Sequence, residues 1–442
     1  MNEAAIVERV LRHPLASIAR DCRRGRCADA VGGIVRDAVL SKSTDDLDLS
    51  VAGHGAQLAR DIAERSNGTA IALGGDQFSS YRVVAGSAWV DIWDRHGGSL
   101  YADLERRDLT INSIACALDG GGLRDPFGGL ADLATRTLRA TRIDCFRRDP
   151  LRVLRLARFR LTLAGFAIEE ASERAARAAA SGLSATASER IRVELERVLA
   201  APSARAALAT LAELGVLELL VPAASEPAAC QTLLERAQRF DRYGYLIRSE
   251  RAAGAVSENT AWAASEQRLA ALALMTTGVG AEPGRVDSGT LEARRLAARS
   301  ELRAAARLRP EAMPSDEPSR RLFLFEHGAS WPLALAVSAA CWPGTGEPRV
   351  AEIAAALTRT ASARPDLVRG MQPLLDGHAV ARILGVAPGP EVGAALDDLS
   401  RAQALGRVST PAEAEAWLRA SGKRPTPQNP TSALPSGADS DP

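Results

Sequence analysis

The chain has 442 residues, more than one hydrophobic core fills, so two or more domains are expected. Hydrophobic residues at 46% support folded domains, while a formal net charge of +1 excludes a globally polyanion-seeking protein; any nucleic-acid surface must be local. The six cysteines (Cys22, Cys27, Cys116, Cys145, Cys230 and Cys341) have no paired metal-ligand spacing and no run of 18 apolar residues occurs, so a reduced, cytoplasmic protein without zinc or a membrane is expected.

Residues 3–20 read as a helix leading into a first strand. The stretch from Asp29 to Ser50 then carries Gly32-Gly33, Arg36-Asp37 in a helical turn, and Asp46-Leu47-Asp48 in a strand. Strand side chains alternate, so Asp46 and Asp48 share one face while Leu47 and Leu49 enter the core. Carboxylates so spaced, with Cα atoms about 6–7 Å apart, can converge on a pair of divalent ions for in-line phosphoryl transfer. Glycines just before a helix let the backbone approach phosphate oxygens. Each piece alone is a turn or a solvated strand end. In this order they resemble the nucleotidyltransferase signature, most closely that of bacterial tRNA nucleotidyltransferases and poly(A) polymerases, the class II family that includes the CCA-adding enzymes. The resemblance implies that Asp46 and Asp48 hold catalytic Mg ions and that Gly32, Gly33 and Arg36 lie on the nucleotide side. The family pattern has a glycine where this chain has Ser41, followed by a basic residue, here Lys42.

A helix over 55–66 and strands over 69–73, 81–85 and 88–93 follow, giving an α+β or α/β head with a small mixed sheet. The last strand sets Asp91 on the face opposite Val90 and Ile92. Polymerase-like relatives carry a third carboxylate on a later strand, and Asp91 is its positional candidate; an edge-strand surface Asp is the plain alternative. Arg106-Arg107-Asp108 resembles the family's second head motif, with Leu109 where the family has an aromatic residue. By that resemblance Arg107 and Asp108 hold the incoming nucleotide's phosphates and ribose, uses that suit a rigid guanidinium and an accepting carboxylate. Only seven residues separate Arg95 from Asp103, where many enzymes that complete the whole CCA end carry a longer loop. The segment LRDPFGGLADL resembles the hinge between head and neck, with Asp125-Pro126 opening a turn.

Asp149, Arg152, Arg155 and Arg158 recur every three residues along one stripe of a helix, with Leu151, Leu154, Leu156 and Phe159 on its buried side. Pro150 suits the first helical position, with Asp149 as N-cap. Read plainly, the arginines are solvated. The segment also resembles the family's nucleotide-selecting motif, which implies that Asp149 and Arg152 read the base edge and that Arg155 and Arg158 meet phosphates. The family's acidic residue before the aspartate is here Arg148. The stretch from Ser188 to Leu195 is similar to the last neck motif, where Glu189 and Arg192 are expected to brace the base-reading helix.

The resemblance thins after Pro222 and returns at Pro373-Leu374-Leu375-Asp376-Gly377 and Pro388-Gly389-Pro390. None of the five histidines is followed by aspartate, so no appended phosphohydrolase module is expected. The expected architecture is α+β: a head over 1–140, then a helical neck over 141–222, a helical RNA-binding body over 223–370, a helical tail over 371–421 and disorder over 422–442. The expected activity is template-independent transfer from CTP or ATP to the 3' end of tRNA. A CC-only or A-only enzyme, a poly(A) polymerase or an idle RNA-binding protein are the alternatives.

Overall fold

The protein is described from a computed structural model, which covers residues 2–73, 80–95, 98–252, 262–276, 299–308, 313–342 and 345–421, with single residues at 291, 296 and 297. The expected disorder over 422–442 lies outside the described residues, as do positions 96 and 97 of the short interval from Arg95 to Asp103.

A seven-stranded mixed sheet organises the N-terminal part, in the order β3-β4-β5-β2-β1-β6-β7. Its strands are β1 (Ala28–Val31), β2 (Asp46–Val51), β3 (Thr69–Leu73), β4 (Ser80–Ala85), β5 (Ala88–Asp94), β6 (Ala115–Ala117) and β7 (Leu123–Arg124). β2 and β5 run parallel and every other neighbouring pair is antiparallel. Alternation decides the two faces. Leu47, Leu49, Val83, Val90 and Ile92 are fully buried on one of them. The expected helix over 3–20 is two, α1 (Glu3–Leu11) and α2 (Pro14–Cys22), divided at Arg12 and His13. α2 packs on β5 and on α4 (Gly55–Ser66), α4 spreads over β3, β4 and β5, and the two supply Leu15, Leu58 and Ile62 to that core. The opposite face carries Asp46, Asp48 and Asp91. Over its β1 end a small cluster of Val31, Leu104 and Ala115, joined by Trp93, Leu100 and Phe127, seats α5 (Leu100–Glu105).

The turn after α3 (Gly33–Val39) places Ser41 at φ +61, in the left-handed region that favours glycine. This is the position where the family pattern carries glycine. Gly128 (φ +74) opens α6 (Gly129–Thr135), and the Asp125 carboxylate accepts the Gly129 and Leu130 N–H groups at 2.7 and 2.8 Å. A Cβ on Gly129 would lie 2.2 Å from the Thr110 carbonyl oxygen, so only glycine fits that approach.

Helices follow: α7 (Cys145–Arg148), α8 (Leu151–Thr162), α9 (Glu170–Ala179), α10 (Ser188–Leu199) and α11 (Ala204–Glu213). The leucine-rich stretch from Leu208 to Leu220 is divided at Gly215 (φ +69), where α11 has ended and a short helix, Leu217–Leu220, follows. The N-terminal mixed-sheet head followed by predominantly helical structure is as expected.

The chain divides into two compact units, Met1–Asp241 with Ala261–Ala306, and Arg242–Thr260 with Arg307–Pro442. In the second unit the helix Trp331–Cys341 is buried on every side, as its uniformly apolar sequence requires. The three C-terminal helices, Gly377–Leu384, Pro390–Ala404 and Pro411–Ser421, pack around Val380, Val392, Leu399, Ala414 and Leu418. Among the described residues no helix is long and apolar enough to cross a membrane.

Candidate active site

The strand register brings the carboxylates together. Asp48 on β2 sits directly opposite Asp91 on β5, Asp46 lies two residues back on the same face, and one oxygen from each of the three falls within 4.8 Å of the others. Two neighbours fix them. Trp89 Nε1 donates to Asp46 Oδ1 at 3.0 Å, and Arg82, opposite Asp91 on β4, donates from Nε and Nη2 to its two oxygens at 2.7 and 2.6 Å. Burial pushes the Asp48 carboxyl up to about 7; the Arg107 guanidinium opposes this and the negative charges of Asp46 and Asp91 add to it. Three crowded carboxylates are a hard, oxygen-rich donor set that a divalent cation fits.

On the β1 side, Gly32 (φ +76) ends the strand and α3 begins. A Cβ on Gly32 would lie 2.7 Å from Arg107 Nη1 and 3.2 Å from Asp48 Oδ2, so the glycine lets backbone, arginine and carboxylate meet. Arg107 lies over the Trp93 ring, 5.2 Å from its centroid, and 3.6 Å from Asp103.

A continuous polar network runs from there into the helices. Arg36 forks onto Asp37 at 2.9 Å and reaches Asn112 Oδ1 at 2.8 Å; Asn112 Nδ2 donates to Asp108 at 3.0 Å; Arg155 Nε donates to Asp108 at 2.8 Å. Burial works to raise the Asp108 carboxyl, but Arg155 and the hydrogen bonds from Asn112, Arg155 and Leu109 outweigh it and hold it at about 2. Arg158 Nε donates to Glu194 at 2.9 Å and Arg197 to the same carboxylate at 3.2 Å, with Arg155 3.8 Å away. The Phe159 ring lies under the guanidinium groups of Arg36, Arg155 and Arg158, 5.3, 5.8 and 4.5 Å from its centroid.

Asp149 accepts the Leu151 N–H at 3.3 Å and the Arg190 guanidinium at 3.1 Å, so its carboxylate caps α8 although the helix starts one residue later than expected. Arg152 donates to the carbonyls of Arg106 (2.6 Å) and Arg107 (3.3 Å), tying α8 to the second head motif. Arg148 pairs with Asp144 at 2.7 Å and leaves Asp149 to Arg190.

Together these side chains line a cavity of about 650 Å³. Gly32, Gly33, Arg36, Asp46, Asp48, Arg107, Asp108, Asp149, Arg152, Arg155 and Arg158 all border it; Asp91 is outside its lining, on the β5 flank. The bracing expected of Glu189 and Arg192 falls instead to Glu194 and Arg190. Glu194 had a readable signal: Ile191, Glu194, Leu195 and Val198 form one helical stripe, and an acid on an apolar stripe is buried only with partners. Asn112 and Trp89 had no such signal, because their contacts with Arg36 and Asp46 join segments far apart in the chain.

A mixed sheet with paired carboxylates on adjoining strands, opening onto an arginine-lined cavity, defines a nucleotidyltransferase. Residues 29–139 match the Poly A polymerase head domain, and residues 165–226 match the probable RNA and SrmB- binding site of polymerase A. The chain is 33% identical over 414 residues to the CC-adding tRNA nucleotidyltransferase of Geobacter sulfurreducens, covering 91% of this chain and 94% of that protein. It is 32% identical over 422 residues to the A-adding tRNA nucleotidyltransferase of Deinococcus radiodurans, covering 89% and 95%. The structure of the Bacillus stearothermophilus CCA-adding enzyme in complex with CTP superposes with a TM-score of 0.65 at 26% identity, over 94% of this chain and 98% of that one. The chain belongs to the CCA-adding and tRNA nucleotidyltransferase family of class II nucleotidyltransferases.

Proposed function

We propose that the protein extends the 3' end of tRNA with nucleotides from CTP or ATP, without a nucleic-acid template. The observation that carries this reading is the single cavity in which Asp46 and Asp48 face Asp149, Arg152, Arg155 and Arg158, in a chain colinear with tRNA nucleotidyltransferases over nine tenths of its length. Asp46 and Asp48, with Asp91 beside them, would hold two Mg ions, which when bound lower the pKa of the RNA 3'-hydroxyl and offset charge on the leaving pyrophosphate. Arg107, Arg155 and Arg158 offset charge on the triphosphate, and the close backbone at Gly32 and Gly33 lets it approach Arg36 and Asp48. Asp108 is held ionised and faces the ribose as an acceptor. Asp149 and Arg152 select the base, an aspartate accepting from an exocyclic amine and a guanidinium donating to ring acceptors. In this reading residues 1–140 are the catalytic head and 141–222 the selecting neck, followed by an RNA-binding body over 223–370 and a tail over 371–421.

The test is extension of tRNAs ending before CCA or after CC, with labelled CTP or ATP and Mg, resolved to single nucleotides. C, C and A followed by a stop is the expected product, and Asp46→Ala with Asp48→Ala should abolish it. A second reading, a CC-only or A-only enzyme, is favoured by the seven-residue interval from Arg95 to Asp103. It would give addition of one kind of nucleotide. Long A tails on any RNA would indicate a poly(A) polymerase, and RNA binding without mutant-sensitive incorporation would leave an idle RNA-binding protein.

A further inference from the structure

The carboxylates lie between two unlike surfaces. Toward β1 is the arginine-lined cavity. Toward β5, β4 and β3 the same face of the sheet carries two cross-strand rows: Asp46, Trp89, Val84 and Thr69 in one, and Asp48, Asp91, Arg82 and Ile71 in the other. α2 and α4 cover only the other face here, so Ile71 (45%) and Val84 (38%) stay exposed beside a half-buried Trp89. Apolar side chains on a solvated sheet face mark a contact surface when they adjoin a functional group. Trp89 adjoins one directly, its N–H fixed on Asp46. Arg82 supplies a cation in the next row, held on Asp91 through Nε and Nη2, with no partner for Nη1 among the described residues.

We propose that this face of β3, β4 and β5 is the platform for the 3'-terminal nucleotides of the RNA, with a base stacked on Trp89 against Val84 and Arg82 facing the adjoining phosphate. The proposal rests on the tRNA-extending reading above. In-line displacement puts the attacking hydroxyl and the leaving pyrophosphate on opposite sides of the reacting phosphorus. With the triphosphate in the arginine cavity on the β1 side, the RNA end must reach the carboxylates from the β5 side, where Asp91 lies. An aromatic ring with a neighbouring cation is the surface single-stranded nucleic acid takes without base-specific contacts. That tolerance is needed if the terminal base changes after each addition.

The test uses the full chain, a tRNA ending before CCA, and steady-state kinetics for both substrates. Trp89→Leu and Val84→Asp should each raise KM for tRNA about fivefold or more, the lower range for losing one base–aromatic stack, with KM for CTP or ATP nearly unchanged. Trp89→Phe keeps a ring but loses the N–H to Asp46, and should retain most of the RNA affinity. If Trp89→Phe and Trp89→Leu lower kcat equally and neither moves KM for tRNA, the indole serves only Asp46 and the platform is overturned. Photocrosslinking of wild-type protein to RNA with a 3'-terminal thiouridine should label the segment Ser80–Asp94; labelling confined to α8 or α10 overturns it. Extension by wild type with a KM for tRNA that neither Trp89→Leu nor Val84→Asp raises sinks the platform and leaves the enzyme standing, whereas no extension by wild type sinks both.

Discussion

Asp48 gives a direct view of what the site costs. Its carboxyl ionises near 7 in the folded protein because it is buried beside Asp46 and Asp91, against the ordinary carboxylate value near 4 in the unfolded chain. The folded state therefore binds the proton more tightly. Stability of the metal-free protein is unaffected by this group below about pH 4, falls as pH rises toward 7, and stays reduced above it. Asp48→Asn should abolish nucleotide transfer and yet raise the melting temperature of metal-free protein, more at pH 8 than at pH 5, with a gain of roughly 2–4 kcal/mol at the higher pH. Equal melting temperatures at pH 8 would mean that other groups relieve the crowding. Ser41 carries a smaller strain at φ +61, where its Oγ also accepts a hydrogen bond from Arg9 at 2.7 Å in an exposed setting. Ser41→Gly should stabilise by about 0.5–1 kcal/mol, the left-handed cost relieved less the value of that exposed bond, as read by urea denaturation.

Between elements, the cavity depends on α8 and α10 being pinned together. One buried carboxylate, Glu194, does this for Arg158 and Arg197, with Arg155 nearby. Glu194→Gln keeps the shape but strips these arginines of a desolvated counter-charge, and should destabilise by roughly 3 kcal/mol or more while raising KM for the nucleotide. A variant with normal stability and altered KM would place Glu194 on substrate instead. Gly129→Ala tests the other joint, because its Cβ meets the Thr110 carbonyl; a loss of about 1–3 kcal/mol is expected from the forced shift. These joints mark where the sequence stopped being legible. Asp46, Asp48 and Asp91 could be set on one face from period two alone, and the arginines of α8 on one stripe from their spacing. The ends were harder: α8 begins after Pro150 and not at it, since boundaries turn on one or two residues of local geometry. The partners were hardest, because Arg36 with Asn112 or Trp89 with Asp46 is a matter of which distant segments the fold brings together.

For the whole molecule, charge is balanced globally and concentrated locally. The net charge of +1 gives little long-range pull on a polyanion, whereas the cavity gathers Arg36, Arg107, Arg152, Arg155 and Arg158 within one wall. Much of that positive charge is already committed: Arg36 to Asp37, Arg155 to Asp108, Arg158 to Glu194 and Arg152 to backbone carbonyls. An arriving triphosphate or RNA phosphate thus shares arginines that stay fixed by their own partners, which favours orientation over raw attraction. Steering and contact should then separate in their response to salt. The tRNA dissociation constant should weaken as salt rises, because each phosphate contact releases counterions, while the association rate constant should change much less. Stopped-flow binding of labelled tRNA between about 50 and 200 mM salt measures both. An association rate that falls as steeply as the affinity would mean that a basic surface beyond the cavity guides the RNA in, and that the site's own arginines are not the main source of its electrostatic affinity.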